Sequence, residues 1–175
     1  MNYSRMTTER VLGIDPGTRH LGMAVLEGHE LVHAMVHELD GRSPQQVLSS
    51  ARRHVQRLLS AYTPETVVIE KTYFDRGRHA PLLRLVTDEV ESTARRRGMT
   101  VVLLAPSVVK KRITGHGHAG KDIVGKAVGR GFPQLRAYLA PDRKWKARYR
   151  SNLFDAIAIA ASLEPGADSR APATS

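Results

Sequence analysis

Three short apolar segments crowd into residues 10–39: RVLGID, HLGMAVLE and ELVHAMVHEL. Only a Pro-Gly turn and a Glu-Gly-His turn separate them, so this close spacing predicts an antiparallel meander. After Leu39 the apolar period changes. Ser43 is a good N-cap with Pro44 at the first helical position. Val47, Leu48, Ala51, Val55, Leu58, Leu59 and Tyr62 then recur at helical spacing. Past Thr63 and Pro64, TVVIE at 66–70 reads as a buried parallel strand ending in Glu70. A helix is expected from His79 to Arg97, stopped by Gly98, and then a strand TVVLL at 100–104. Helical segments follow around 107–113, 121–129 and 133–139, then a basic loop at 141–150 and a last helix from about Ser151 to Leu163.

The order βββαβαβα implies an α/β fold, a mixed five-stranded sheet with helices on both faces. This is the strand order of ribonuclease H-like folds. The chain has 175 residues, enough for one domain with a sizeable core, expected over 10–163. Residues 1–9 and the tail EPGADSRAPATS at 164–175 read as flexible termini. No apolar run nears the roughly 20 residues that span a bilayer, and no signal-peptide pattern opens the chain. Cys is absent, which excludes disulfides and thiolate–metal sites and fits a cytoplasmic protein with no membrane partner.

Charge narrows the partner. The formal net charge is +10, and it is localised: residues 107–150 carry twelve Lys and Arg against Asp122 and Asp142. The rest of the chain balances, fifteen basic against fifteen acidic. A surplus gathered in one quarter of the chain suits a polyanion such as nucleic acid.

Asp15 ends the first strand and Glu70 the fourth, each a single acid delivered by a short apolar run. Asp155 lies in the first turns of the final helix, SNLFDAIAIAAS, and shares a face with Asn152 three residues before it. Ala156, Ala158, Ala160 and Ala161 would let that helix sit close to the sheet. Singly, each acid reads as an ordinary strand-end or helix-surface group. Together, at one end of a sheet, they repel and need a cation. Mg²⁺ or Mn²⁺ suits hard oxygen ligands, and two such ions can activate water and stabilise the leaving oxygen of a phosphodiester.

GIDPGTRHLG, VVIEKTYF, VVKKRITGHGHAGKD and NLFDAIAIA, in this order, resemble the RuvC-type Holliday-junction resolvases from about Val11 to Leu163. The resemblance implies a homodimeric, divalent-metal-dependent crossover junction endodeoxyribonuclease that nicks two opposed strands of a four-way DNA junction. Asp15, Glu70 and Asp155 fall on three of the family's acidic metal ligands. Asn152 falls on the fourth, where the family usually has Asp and in some members His; an Asn carbonyl is a neutral, weaker ligand. Lys110 and Lys121 match family lysines near the scissile phosphate. Tyr73 stands where the family has an aromatic that enters the junction core, and Phe74 could serve instead. A branch-migration complex as partner is implied by the family.

Lys111 and Arg112 are candidates for further phosphate contacts. Within 141–150, Arg143, Lys144, Lys146 and Arg148 interleave with Trp145 and Tyr149, a mixture suited to backbone contact plus stacking. Gly115, Gly120 and Lys121 satisfy G-x-x-x-x-G-K, but Asp122 follows and a helical segment precedes, so a nucleotide-phosphate loop is rejected. His116 and His118 alone do not make a metal site. Two alternatives stay open: a ribonuclease H-fold nuclease acting on other branched DNA or on RNA, and a structure-selective DNA-binding protein with weak catalysis because of Asn152.

Overall fold

A computed structural model of the chain describes residues 9–71, 80–135 and 144–163, with the side chains of 144–148 left out. The meander forms as β1 (Arg10–Asp15), β2 (His20–Glu27) and β3 (Glu30–Glu38). β4 (Thr66–Glu70) and β5 (Thr100–Leu104) extend the sheet on the other side of β1, giving the order β3-β2-β1-β4-β5. β2 runs antiparallel to β1 and β3; β1, β4 and β5 are parallel.

Helix α1 (Pro44–Tyr62) starts where expected: the Ser43 hydroxyl accepts from the Gln46 amide and the Gln46 side chain accepts from Ser43 N–H. Together with α2 (Ala80–Arg96) it covers one face of the sheet, over Leu12, Ile14, Leu21, Met23, Val67 and Ile69. The Arg52–Glu89 pair, 2.7 Å apart, ties these two helices together at the surface. The opposite face is covered by α3 (Pro106–Thr114), α4 (Lys121–Gly131) and α5 (Lys144–Ala161), over Val11, Ala24, Val68 and Leu104. Among the described residues no helix is long and apolar enough to cross a membrane.

Two expectations change. The basic stretch from Lys144 to Arg150 is not loop but the opening turns of α5, which therefore starts seven residues before Ser151. The reason is local: KWKARYRS contains no Gly or Pro to stop a helix, and Pro141 lies upstream. Of the helix expected at 133–139, residues 133–135 form a 3₁₀ turn, and 136–139 lie outside the described residues. His79, the termini 1–8 and 164–175, and residues 72–79 and 136–143 in general also lie outside them.

α5 lies directly on the sheet because β1 and β2 offer it glycines. A Cβ added to Gly13 would stand 2.4 Å from the Ala160 nitrogen and 2.5 Å from the Ala156 oxygen. One added to Gly22 would stand 2.5 Å from the Asn152 oxygen. No side chain fits there, so helix and strand meet backbone to backbone.

On the other face, β3 meets α1 through imidazoles. The His37 ring packs on His54 at 4.3 Å, and His33 on Tyr62 at 5.2 Å. His33 Nε2, His37 Nε2 and His54 Nδ1 are buried with no hydrogen-bond partner among the described residues. Burial, His54, His33 and Arg57 together push His37 down to about 4. Burial, Arg53 and Arg57 lower His54 against the opposing pull of Asp40, and burial lowers His33. The native state thus holds these rings neutral, while an unfolded chain protonates them near the ordinary value of 6.5. Stability is therefore full above pH 6.5 and is lost as pH falls toward 4, because the unfolded state binds more protons. The loss due to His37 is expected to reach about 1–2 kcal/mol near pH 4.5, with water screening part of the cost of a half-buried ring. Urea unfolding at pH 7.5 and 4.5 checks this: His37→Phe should lose much of the difference, and an unchanged difference would acquit the histidines.

Candidate active site

Alternation along the strands decides which acids meet α5. Leu12 and Ile14 of β1 point into the α1–α2 core, which turns Gly13 and Asp15 to the opposite face. In β4, Val67 and Ile69 join the same core, while Val68 and Glu70 face α5. Ile14 lies beside Ile69 in the parallel register, and each strand ends one residue later. Two carboxylates therefore leave the same end of the sheet on neighbouring strands. Gly22 pairs with Asp15, and the Asn152 backbone lies against Gly22, so α5 brings Asn152 and Asp155 to the same place.

The electrostatics bear this convergence out. Burial, then Asp155, then Glu70 hold the Asp15 carboxyl well above the usual range, against the opposing charge of Lys121. Burial and Asp155 push Glu70 up to about 7, opposed by Lys110 and Lys121. Asp155 is raised by burial and pulled back by Lys121, Ser151 and Lys110. Lys121 acts on all three acids. Its ammonium lies 3.7 Å from Asp155 Oδ2 and donates to Ser151 Oγ at 3.0 Å. The Ser151 hydroxyl in turn donates to Asp155 Oδ2 at 3.2 Å.

These groups stand between two clefts. A cleft of about 790 Å³ lies on the Asn152 side, lined by Arg19, His20, Arg42 and Leu82 among others. A second, of about 550 Å³, lies on the Asp155 side, lined by Lys121, Lys126, Arg150, Ser151 and Phe154 among others.

The sequence-derived candidates divide accordingly. Asp15, Glu70, Asn152, Asp155, Lys121 and Lys110 come together. Lys111 lies on the exposed side of α3, next to a further surface hollow shared with Ser107 and Gly117. Arg112 directs a guanidinium N–H to the Ser162 carbonyl at 2.9 Å, anchoring α3 to the end of α5. Lys144, Trp145, Lys146 and Arg148 lie along the first turns of α5, and Tyr149 is exposed. Tyr73, Phe74 and Arg143 lie outside the described residues. The Gly115–Gly120 segment links α3 to α4, and the helix before it removes the strand that a nucleotide-phosphate loop needs. Ser151 was not anticipated. Its signal was present in the expected helix, four residues before Asp155 on one helical face.

The donor set fits a hard divalent cation. Carboxylate oxygens and the Asn152 amide oxygen are the ligand types Mg²⁺ and Mn²⁺ take, and the mutual repulsion of three partly buried acids calls for positive charge. Among the described residues no three His, Cys, Asp or Glu side chains already stand at ligating distance. Ligation would therefore draw these acids together.

A sheet of this order, carrying acids from β1, β4 and the last helix, with lysines facing them, defines a ribonuclease H-like nuclease. The profile of the crossover junction endodeoxyribonuclease RuvC family matches residues 11–161, and the chain belongs to that family. A RuvC of Synechococcus sp. (strain WH7803) is 34% identical over 126 residues, covering 69% of this chain and 82% of that one. The structure of Thermus thermophilus RuvC superposes with a TM-score of 0.70 at 31% identity, covering 87% of this chain and 92% of that one. The same protein in complex with a Holliday junction substrate gives 0.72 at 28% identity, covering 88% and 92%. The chain is thus an endonuclease of a divalent-metal family.

Proposed function

We propose that the chain resolves four-way DNA junctions by paired phosphodiester hydrolysis, with one nuclease domain over residues 10–163. The observation that carries this reading is the convergence of Asp15, Glu70 and Asp155 with Lys121 at the end of β1 and β4. Asp15, Glu70 and Asp155, with Asn152 as a neutral fourth ligand, would hold two Mg²⁺ or Mn²⁺ ions. When bound, such ions acidify a water and stabilise the departing oxygen.

The protein's own part is placement and charge. Lys110 and Lys121 offer ammonium groups to the scissile phosphate, where negative charge builds up in the transition state. Lys111 and Arg112 on α3, Lys144, Lys146 and Arg148 in the first turns of α5, and Arg143 supply phosphate contacts along the arms. Tyr73 or Phe74, and Trp145, supply rings for bases exposed at the junction centre.

Four-way junctions have two equivalent strands to cut, and each chain carries one set of acids. Paired nicks therefore ask for a homodimer, with α2 and its exposed Leu85 as the proposed face. Family membership supports a branch-migration complex as further partner and the cytoplasm, where the DNA is, as location.

The test is cleavage of a synthetic four-way junction, a flap and a linear duplex, in Mg²⁺ and separately in Mn²⁺. Symmetric paired nicks confined to the junction are the expected result. Cutting of flap or duplex in preference would assign another ribonuclease H-type substrate, and tight binding without nicks in either metal would make this a binding protein.

A further inference from the structure

Three atoms close a triangle at the edge of the acidic site. Lys121 Nζ donates to Ser151 Oγ at 3.0 Å, Ser151 Oγ donates to Asp155 Oδ2 at 3.2 Å, and Nζ stands 3.7 Å from that same oxygen. The Asp155 oxygen that an incoming cation needs is thus already engaged by an ammonium and a hydroxyl. Lys121 is the first residue of α4, and its side chain is 74% exposed, so the ammonium can swing away without disturbing any packed core. Asp155 is far less free, at 28% exposed, and sits on the helix fixed to Gly13 and Gly22.

We propose that Lys121 is an exchangeable counter-cation, docked on Asp155 by Ser151 while the site lacks metal and released from Asp155 when a divalent ion binds. The inference rests on the metal-site reading above and deepens it. Ser151 is a positioning residue, acting through Lys121 and Asp155. The ammonium and the ion compete for one carboxylate oxygen, since two cations on one oxygen repel. The arrangement also orders the events: the lysine is free to meet a phosphate only once metal has taken its place. Asp155 thus faces a cation before loading and after it.

Competition fixes the sign of every outcome. Mn²⁺ binding to metal-free protein, followed by the EPR signal of the free ion at pH 7.5, would compare the native chain with Lys121→Met, Ser151→Ala, Lys110→Met and Asp155→Asn. Lys121→Met is expected to bind Mn²⁺ about three- to fivefold tighter, the size of an exposed ion pair. Ser151→Ala, which keeps the charge but removes the dock, is expected to bind about twofold tighter. Lys110→Met removes a charge that acts on Glu70 and Asp155 through space, and its gain should be smaller than that of Lys121→Met. Equal gains for the two lysine variants, no gain for Lys121→Met, or weaker binding in Ser151→Ala would each overturn the exchange. Undiminished binding in Asp155→Asn would instead sink the carboxylate metal site itself. A measurement on the unsubstituted protein covers the case of a misfolded variant. Proton exchange of the Lys121 ammonium, read by ¹⁵N NMR, should quicken on adding Mg²⁺, and unchanged exchange would refute the release.

Discussion

Asp15→Asn is expected to abolish junction cleavage and, in the absence of metal, to raise the melting temperature. Both effects come from the same burial. Asp15 is held among Asp155 and Glu70 in a site that disfavours its charge, so the fold bears an electrostatic cost there that Asn relieves. Each kcal/mol relieved should appear as about 2–4 °C in a chain of this size. The rate should fall by at least about a thousandfold, the equivalent of roughly 4 kcal/mol of lost transition-state stabilisation. Single-turnover cleavage, junction binding by gel shift and a thermal melt measure the three quantities. Binding should persist. A variant that is inactive but also less stable would mean that Asp15 holds the fold together, and its place in the metal site would then need another argument.

The second large effect is expected at a residue with no side chain. Gly13→Ala puts a methyl within 2.4–2.7 Å of the Ala160 nitrogen, the Ala156 oxygen and the Ala160 Cβ. Two of these three are backbone atoms of a helix, which cannot rotate out of the way. Helix α5 must lift off β1, at a cost of about 3 kcal/mol or more, seen as a drop of about 6–12 °C. Because Asn152 and Asp155 ride on α5, cleavage at 20 °C should fall further than the unfolded fraction explains. Ala160→Gly in the same chain should not rescue it, since the backbone contacts remain. A melt within 2 °C of the native protein would show that the approach of helix to strand is looser than described.

The strands were legible because burial on alternate faces writes period two into the chain. Leu12 and Ile14 face one core while Gly13 and Asp15 face the other side of the sheet. The acids were legible for the same reason: each stands where a short apolar run stops. The start of α5 is not legible in this way, because KWKARYR has no apolar stripe and its charges read as loop. A helix with mixed basic and aromatic residues shows no clean period even where its backbone is regular. The Asn152-side cleft was hidden for a different reason. Arg19, Arg42 and Leu82 come from three distant stretches that meet only through the sheet order. The stacking of His37 on His54 likewise joins a strand to a helix, and no local pattern announces such a pair.

One property of α5 has a bearing on how substrate is measured out. From Lys144 to Asp155 the backbone is a single uninterrupted helix, and at 1.5 Å per residue the span is about 16 Å. Basic residues at one end and the acid of the site at the other are thereby set at a distance and an angle that hydrogen bonding keeps constant. If DNA is gripped at the first turns, the point of scission is metered by a rigid rule whose graduations are peptide units. A bent junction arm pulling on that end would load a strut clamped at Gly13 and Gly22, and the strain would be carried straight to Asn152 and Asp155.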